Sequence, residues 1–300
     1  MDRLLAMETF VRVFETGSFS AAARQLQVGQ PAVSKTVAQL ERHLGTRLLS
    51  RTTRGLSPTD AGQRYYERAR RAIDEAAEAE MAAKDAAAAL TGRLRVSTAV
   101  TFARMHVVPY LGAFLDAHPA LELELMMNDS HTDLIEAGAD VALRFGPAVD
   151  SALTGRVIAQ SPRVVVATPS YFRLYGEPKS PTDLLEGRAV VIRQPGLDEV
   201  WTFRRGEERC SVTLTGRLKV DAAEGARAAV LADLGFAVAT EWMFAPELTS
   251  GAVRRTLRDW TLPSVNLWAV YPTGRLVSAK ARAFVAFVEK RLGNGNDGHR

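Results

Sequence analysis

The chain has 300 residues, 47% of them apolar, 24% charged and 7% aromatic, with a formal net charge of +4. That composition belongs to an ordinary globular protein with room for two or three domains and excludes chain-wide disorder and fibrous repeats. The longest stretch without a charged residue, 260–274, holds fifteen residues and two prolines, fewer than the roughly 18 apolar residues a bilayer span needs, so no membrane is expected as a partner.

Met1, Asp2, Arg3, Leu4 and Leu5 run directly into charges at Glu8, Arg12 and Glu15 without an apolar signal core. The single cysteine, Cys210, has no second thiol for a disulfide or a metal site. Both features set the expectation of a cytoplasmic protein. Leu4, Met7, Phe10, Val11 and Phe14 recur every three or four residues and predict an amphipathic helix that Gly17 and Ser18 end. Ser20 is placed to cap a short second helix, 21–26, whose alanines admit a close neighbour. After a turn at Val28 and Gly29, Gln30 and Pro31 open a third helix that runs to Leu44 and stops at Gly45.

On that third helix Val33, Val37, Leu40 and Leu44 form the stripe expected to be buried, leaving Pro31, Ser34, Lys35, Ala38 and Arg42 on the opposite side. Three short helices joined by tight turns describe a helix-turn-helix, whose last helix enters the major groove of duplex DNA. Gln30 suits bidentate pairing with adenine, and Lys35 suits the O6 and N7 of guanine. Residues 46–58 then place short apolar positions around a tip of Arg51, Thr52, Thr53, Arg54 and Gly55, a predicted β-wing whose arginines and hydroxyls suit phosphate contact. Charge agrees with this placement: residues 28–56 carry five bases (Lys35, Arg42, Arg47, Arg51, Arg54) against Glu41, so the whole excess of +4 lies there and the rest of the chain balances. Charge alone fits a solvated face equally well; the helix pattern favours the nucleic-acid reading.

Three runs carry a family resemblance: Phe10 to Ala23 (FVRVFETGSFSAAA), Gln30 to Lys35 (QPAVSK), and Leu40 to Gly45 (LERHLG) followed by Arg51, Thr52, Thr53 and Arg54. They resemble the LysR-type transcriptional regulators, which are winged helix-turn-helix proteins. One departure is Gly29, where the family usually has serine before Gln-Pro; glycine is still an acceptable N-cap. The resemblance implies DNA contact by Ser20, Gln30, Pro31, Ser34, Lys35, Arg51, Thr52, Thr53 and Arg54.

Residues 59–90 predict one long helix capped by Thr59, with a shallow stripe of Tyr65, Ala69, Ile73, Ala76, Ala77 and Met81. At about 1.5 Å per residue it would extend for roughly 45 Å, more than a 58-residue domain covers. By itself the stripe fits a two-helix seam or a solvated spacer; the resemblance implies a seam that pairs two copies on double-stranded operator DNA. It further implies a dimer of dimers, and RNA polymerase as a further partner.

From Thr91 on, short apolar runs replace alanine-rich helix. Strands at 93–97, 121–127 and 141–145, separated by helices at 102–117 and 132–137, give a βαβαβ order and hence a parallel sheet. Further strands at 164–167, 190–192, 236–240 and 265–271, with helices near 223–232 and 278–292, complete two α/β lobes. The expected fold class is thus multidomain α/β: residues 1–58 a winged helix-turn-helix, 59–90 the linker helix, and 91–300 an effector domain. Its first lobe takes about 91–160 and 265–300, its second about 161–264. The resemblance implies a periplasmic-binding-protein-like arrangement of these lobes. In such sheets a small molecule binds beyond the carboxyl ends of strands. That places Thr98, Thr101, Phe102, Asn128, Asp129 and Arg144 at the cleft from one lobe, and Thr240 and Trp242 from the other. Arg144 suits a carboxylate or phosphate, or else a structural salt bridge. No cofactor is expected beyond a small effector, for which the Arg144 guanidinium suits a carboxylate.

The five histidines show no metal-ligand spacing, and no phosphate-cradling or nucleophile-elbow motif occurs, so neither a metal site nor an enzyme is expected. A free-standing solute-binding protein, which the second half resembles in fold, is disfavoured by the first sixty residues.

Overall fold

Asp2 begins the first helix, α1 (Arg3–Thr16), by accepting the N–H of Leu4 and Leu5 on its carboxylate at 3.0 and 3.2 Å. The computed structural model describes the chain except residues 53–54, 84–89, 130–137, 147–153, 194–199, 273–276 and 297–300. It divides into two units, Met1–Ala88 and Ala89–Arg300.

In the first unit α2 (Phe19–Gln25) and α3 (Gln30–Leu44) follow α1, and the turn between them passes through Gln27 at φ +55°. The cap of α2 is Ser18, whose hydroxyl accepts the Ala21 N–H at 3.3 Å; the Ser20 cap expected from sequence is corrected, and Ser20 lies exposed in the first turn. Ala6, Phe10, Val13, Val33, Val37 and Leu40 make the core that holds the three helices together. Two expected members of the buried stripes do not join it. Leu4 is 36% exposed and Leu44 38%, because each sits at a helix end where no neighbouring helix continues.

Strands β1 (Leu49–Thr52) and β2 (Gly55–Pro58) pair antiparallel from Leu49↔Pro58 to Thr52↔Gly55. Helix α4 (Asp60–Ala83) starts at Thr59, whose hydroxyl accepts the Gly62 N–H at 3.0 Å and donates to the Arg47 carbonyl at 2.8 Å. The helix lies so close to the wing that a Cβ on Gly62 would sit 2.0 Å from the Leu48 carbonyl oxygen. Tyr65, Ala69 and Ile73 pack into the helical core rather than standing clear of it, with Phe14 stacked on Tyr66 at 4.0 Å and Phe10 edge-on to Tyr65. The first half of the stripe read as a seam is therefore an intramolecular contact, since α1 already offers it an aromatic surface. The continuation of the predicted helix through 84–89 lies outside the described residues.

The second unit holds two lobes. In the first, β3 (Gly92–Thr98) leads to a single turn, α5 (Val100–Phe102), then a π-helical turn over Ala103–Val107, a 3-10 turn over Val108–Tyr110, and α6 (Leu111–Ala117). The unbroken helix predicted for 102–117 is thus corrected: Pro109 has no N–H to give and the ladder re-forms around it. Strands β4 (Leu121–Met127), β5 (Val141–Gly146) and β6 (Thr154–Ser161) come next; the helix expected at 132–137 lies outside the described residues.

Pro162 carries the chain into the second lobe. Its elements are β7 (Arg163–Ala167), α7 (Pro169–Tyr175), β8 (Val190–Ile192), β9 (Val200–Arg205), β10 (Glu208–Thr213) and β11 (Leu218–Val220). Helix α8 (Ala223–Leu231), β12 (Ala237–Thr240), α9 (Ala245–Ser250) and β13 (Arg254–Thr256) complete it. The chain then returns to the first lobe for β14 (Val265–Tyr271) and α10 (Ala279–Asn296).

The first-lobe sheet has the order β4-β3-β5-β14-β6. β3 runs parallel to β4 and β5, as the βαβαβ order requires, and β14 antiparallel to β5 and β6. Leu94, Val96, Val141, Leu143 and Leu267 face Phe114, Phe284 and Val288 across its main core. In the second lobe β12-β7-β13 and β11-β8 are joined through the bridge Ala189↔Phe236, between one apolar layer holding α8 and another holding α7. The β9–β10 hairpin, closed at Gly206 with φ +57°, is an element the sequence pattern did not announce.

Candidate functional site

The first unit presents one face of α3 to solvent. Gln30, Pro31, Lys35, Ala38 and Arg42 are exposed and Ser34 is half-buried, while Val33, Val37 and Leu40 are sealed beneath. Gly29 caps the helix in extended conformation without a side-chain bond, and a Cβ there would meet only Pro31 Cδ at 3.7 Å. Pro31 brings no N–H, and the Ala32 and Val33 N–H groups bond the Gly29 carbonyl at 2.9 and 3.3 Å, so the first turn of α3 closes on its own backbone. Arg51 and Thr52 occupy the end of β1; Thr53 and Arg54 lie outside the described residues.

One acid stands in this basic region, and sequence reasoning gave it no role. Glu41 Oε1 accepts the N–H of Leu48 at 2.8 Å and of Leu49 at 3.1 Å, so it ties the last turn of α3 to the first residues of the wing. Its charge is thus spent on backbone donors that would otherwise be buried without partners, leaving the exposed side of α3 without an acid.

In the second unit the predicted effector residues stand at the carboxyl ends of β3, β4 and β5, which the register sets side by side: Thr98 pairs with Met127 and with Leu143. Asn128 and Arg144 therefore each sit one residue past a partner of Thr98. Asn128 is exposed and its N–H donates to the Thr98 carbonyl at 3.0 Å. Arg144 is half-buried and donates from Nη2 to Ser97 Oγ at 3.0 Å. Burial lowers its pKa. Among the described residues Arg144 has no ion-pair partner. The Thr98 hydroxyl, fully buried, also has no hydrogen-bond partner among them.

Other members of the predicted set are already engaged. Asp129 accepts the Val100 N–H on Oδ1 at 2.9 Å, taking the first helix donor for the protein itself. Thr101 is buried and gives its hydroxyl proton to Glu224 Oε2 at 2.9 Å, across from the second lobe. Phe102, 4% exposed, belongs to the core at the end of this strand-to-helix turn. It packs with Phe145, His106 and Trp242 in an aromatic cluster spanning the lobes. His106 Nε2 hydrogen-bonds the Trp242 carbonyl at 2.8 Å, and the Trp242 N–H donates to Ser161 Oγ at 3.4 Å, beside the Pro162 crossover. Burial lowers the pKa of His106 despite that bond. Thr240 ends β12 half-buried, and the neighbouring Glu241 is ion-paired with Arg255. Ser97, Glu224 and His106 were missed from sequence; only their pairing with residues 47 or more positions away distinguishes them, and no local pattern carries that.

Among the described residues no helix is long and apolar enough to cross a membrane, and no cluster of His, Cys, Asp or Glu is arranged to hold a metal ion.

Comparison with known proteins gives these two units a family. Residues 4–63 match the family described as "Bacterial regulatory helix-turn-helix protein, lysR family", and residues 87–293 match "LysR substrate binding domain". An HTH-type transcriptional regulator of Xanthomonas campestris is 36% identical over 94% of this chain and 83% of its own length. The regulator CrgA of Neisseria meningitidis is 31% identical over 96% of both chains. The solved structure of CrgA from that organism, a LysR-type transcriptional regulator, superposes with a TM-score of 0.63 at 30% identity, covering 96% of this chain and 98% of that one. Full-length AphB, a virulence activator of Vibrio cholerae, gives 0.57 at 26% identity over 95% and 98%. A helix-turn-helix unit and a substrate-binding unit thus follow one another in the order and over the length of these relatives. The chain belongs to the LysR family of DNA-binding transcriptional regulators, and carries their effector-binding domain behind a winged helix-turn-helix.

Proposed function

We propose that this regulator binds its operator through the exposed face of α3 and the wing, and that a small anionic effector, a carboxylate, in the cleft of the second unit adjusts that binding. The observation that carries the effector reading is Arg144: a half-buried guanidinium whose one polar partner among the described residues is a neutral hydroxyl, that of Ser97. A carboxylate would accept from that guanidinium, and charge-assisted bonds of this kind are stronger than neutral ones. Phe102 and Trp242 act as the wall behind the site and Asn128 as its rim. Asp129 orients the turn after β3.

In this reading α4 pairs two copies so that two recognition helices meet two half-sites. With Tyr65, Ala69 and Ile73 committed to their own domain, the seam falls on the alanine-rich turns that include Ala76, Ala77 and Met81. Assembly into a dimer of dimers, contact with RNA polymerase and a cytoplasmic location complete the proposal. Effector bound in the cleft biases one arrangement of the assembly over another in proportion to its differential affinity. Relatives are described both as repressor, in Pseudomonas aeruginosa, and as activator, the TtdR of Escherichia coli, so the sign of regulation is left to experiment.

The test is thermal unfolding of the full chain with mono- and dicarboxylates, beside Arg144→Ala. Ligand at about 100 times its Kd adds roughly 2.7 kcal/mol. The expected result is a shift confined to anions and lost in Arg144→Ala; a shift that survives the substitution removes Arg144 from the site.

A further inference from the structure

The Thr101 end of the cleft differs in chemistry from the Arg144 end. Glu224, in the first turn of α8, reaches over from the second lobe. Its Oε2 accepts the Thr101 hydroxyl at 2.9 Å, and its Oε1 accepts Arg104 Nη2 at 2.7 Å and stands 3.5 Å from Arg227 Nε. A threonine hydroxyl has one proton, and here it is committed, so the Thr101 oxygen can meet a ligand only as an acceptor. Glu224 Oε2 keeps a second lone pair and is an acceptor as well. Arg227 is in no position to turn toward a ligand: it is 5% exposed and donates two bonds to Glu247, at 2.9 and 2.5 Å. Arg104 is half exposed and holds the other oxygen of Glu224 from its solvent side.

At the opposite end Arg144 offers donors alone. The register pairs Thr98, the last residue of β3, with Leu143, so Arg144 lies one residue past that pair on β5 and Thr101 three residues past it in the turn that follows β3, at the same edge of the sheet. An acceptor end and a donor end therefore lie within the span of one small molecule.

We propose that Glu224 is a specificity-determining residue of the effector site, selecting, together with Thr101, carboxylates that also carry a hydroxyl or amino donor over bare carboxylates. The inference rests on the reading of Arg144 as the carboxylate clamp. A hydroxy acid or amino acid places its carboxylate on Arg144 and its donor on the Thr101 and Glu224 oxygens. A bare carboxylate leaves those oxygens without a donor, and a dicarboxylate turns a like charge toward Glu224.

The experiment is calorimetric titration of the full chain with two matched sets, succinate, malate and aspartate, and benzoate, 3-hydroxybenzoate and 3-aminobenzoate, repeated on Glu224→Gln, Thr101→Val and Arg144→Ala. In at least one set the donor-bearing members are expected to bind about tenfold or more tighter than the bare acid, the discrimination of one hydrogen bond to a charged group. Glu224→Gln, which puts an amide donor in place of an acceptor, is expected to bring that ratio close to one by strengthening the bare acid. Thr101→Val lowers it by weakening the donor-bearing members, and Arg144→Ala abolishes binding of all members. Equal affinities within both sets, or a preference that survives Glu224→Gln, overturn the role of Glu224 while leaving the clamp intact. No binding by any of the six compounds removes the clamp and this proposal together.

Discussion

Replacing Glu41 by alanine would remove the acceptor that joins the recognition helix to the wing. Two backbone donors, Leu48 N–H at 2.8 Å and Leu49 N–H at 3.1 Å, lose their partner, and both residues are buried. Hydrogen bonds to a charged acceptor contribute about 1.5–3 kcal/mol each; since the two share one oxygen, the expected loss is about 2–4 kcal/mol rather than twice the upper figure. For a domain of this size about 1 kcal/mol corresponds to some 4–8 °C in Tm, so the transition of the first unit should fall by roughly 10 °C or more. All four tryptophans, Trp201, Trp242, Trp260 and Trp268, belong to the second unit. Calorimetry or far-UV circular dichroism should therefore show an early transition in Glu41→Ala while tryptophan fluorescence unfolds as in the parent. Glu41→Gln keeps an oxygen in place and should lose no more than about 1–2 kcal/mol, the difference between a charged and a neutral acceptor. If Glu41→Ala melts with the parent, or Glu41→Gln falls as far as Glu41→Ala, the tie between helix and wing is not what Glu41 supplies.

Gly62→Ala should destabilise the same unit by about 1–3 kcal/mol or force α4 away from the wing, because its Cβ would lie 2.0 Å from the Leu48 carbonyl oxygen; an unchanged calorimetric transition would contradict that close approach. Lys35→Ala, on the exposed face of α3, should weaken operator binding by about 1–3 kcal/mol and relax base preference, whereas Arg54→Ala should weaken specific and random DNA alike and reduce the salt slope by about one. Equal losses on both DNAs for Lys35→Ala, measured by gel shift at two salt concentrations, would remove its base-reading role. Burial holds His106 below its ordinary value of 6.5, so the unfolded chain takes up a proton before the folded one. Stability of the second unit should accordingly be constant above pH 6.5 and decline as pH falls from there toward the lowered folded pKa; tryptophan-monitored melting should show this decline, and His106→Gln should flatten it.

What local chemistry governs was legible in the residues. Pro31 and Gly45 bound the recognition helix because one lacks an N–H and the other tolerates a left-handed turn, here at φ +67°. The spacing of Val33, Val37 and Leu40 fixed which face of that helix is covered, and with it the exposure of Lys35. Alternation from Gly92 onward, in βαβαβ order, determined the parallel pairing of β3 with β4 and β5. The runs around Phe10, Gln30 and Leu40 carried the family. Even errors within this range were local ones: Ser18 and Ser20 are both competent caps two residues apart, and the chain entered the helix at the first.

Tertiary structure decided whatever depends on a partner distant in sequence. Tyr65, Ala69 and Ile73 make the same stripe whether they face a second copy or their own domain, and only the aromatic surface of α1 settled it. Thr101 looked like a free hydroxyl until α8 brought Glu224 to it across 123 residues. Arg144 had two readings, clamp or salt bridge, and the difference is whether a carboxylate stands nearby. Among the described residues folding set the Ser97 hydroxyl against it, which no local pattern announces. Periodicity reports which face of an element is apolar; it does not report which other element comes to lie against it, because that is set by burial summed over the whole chain.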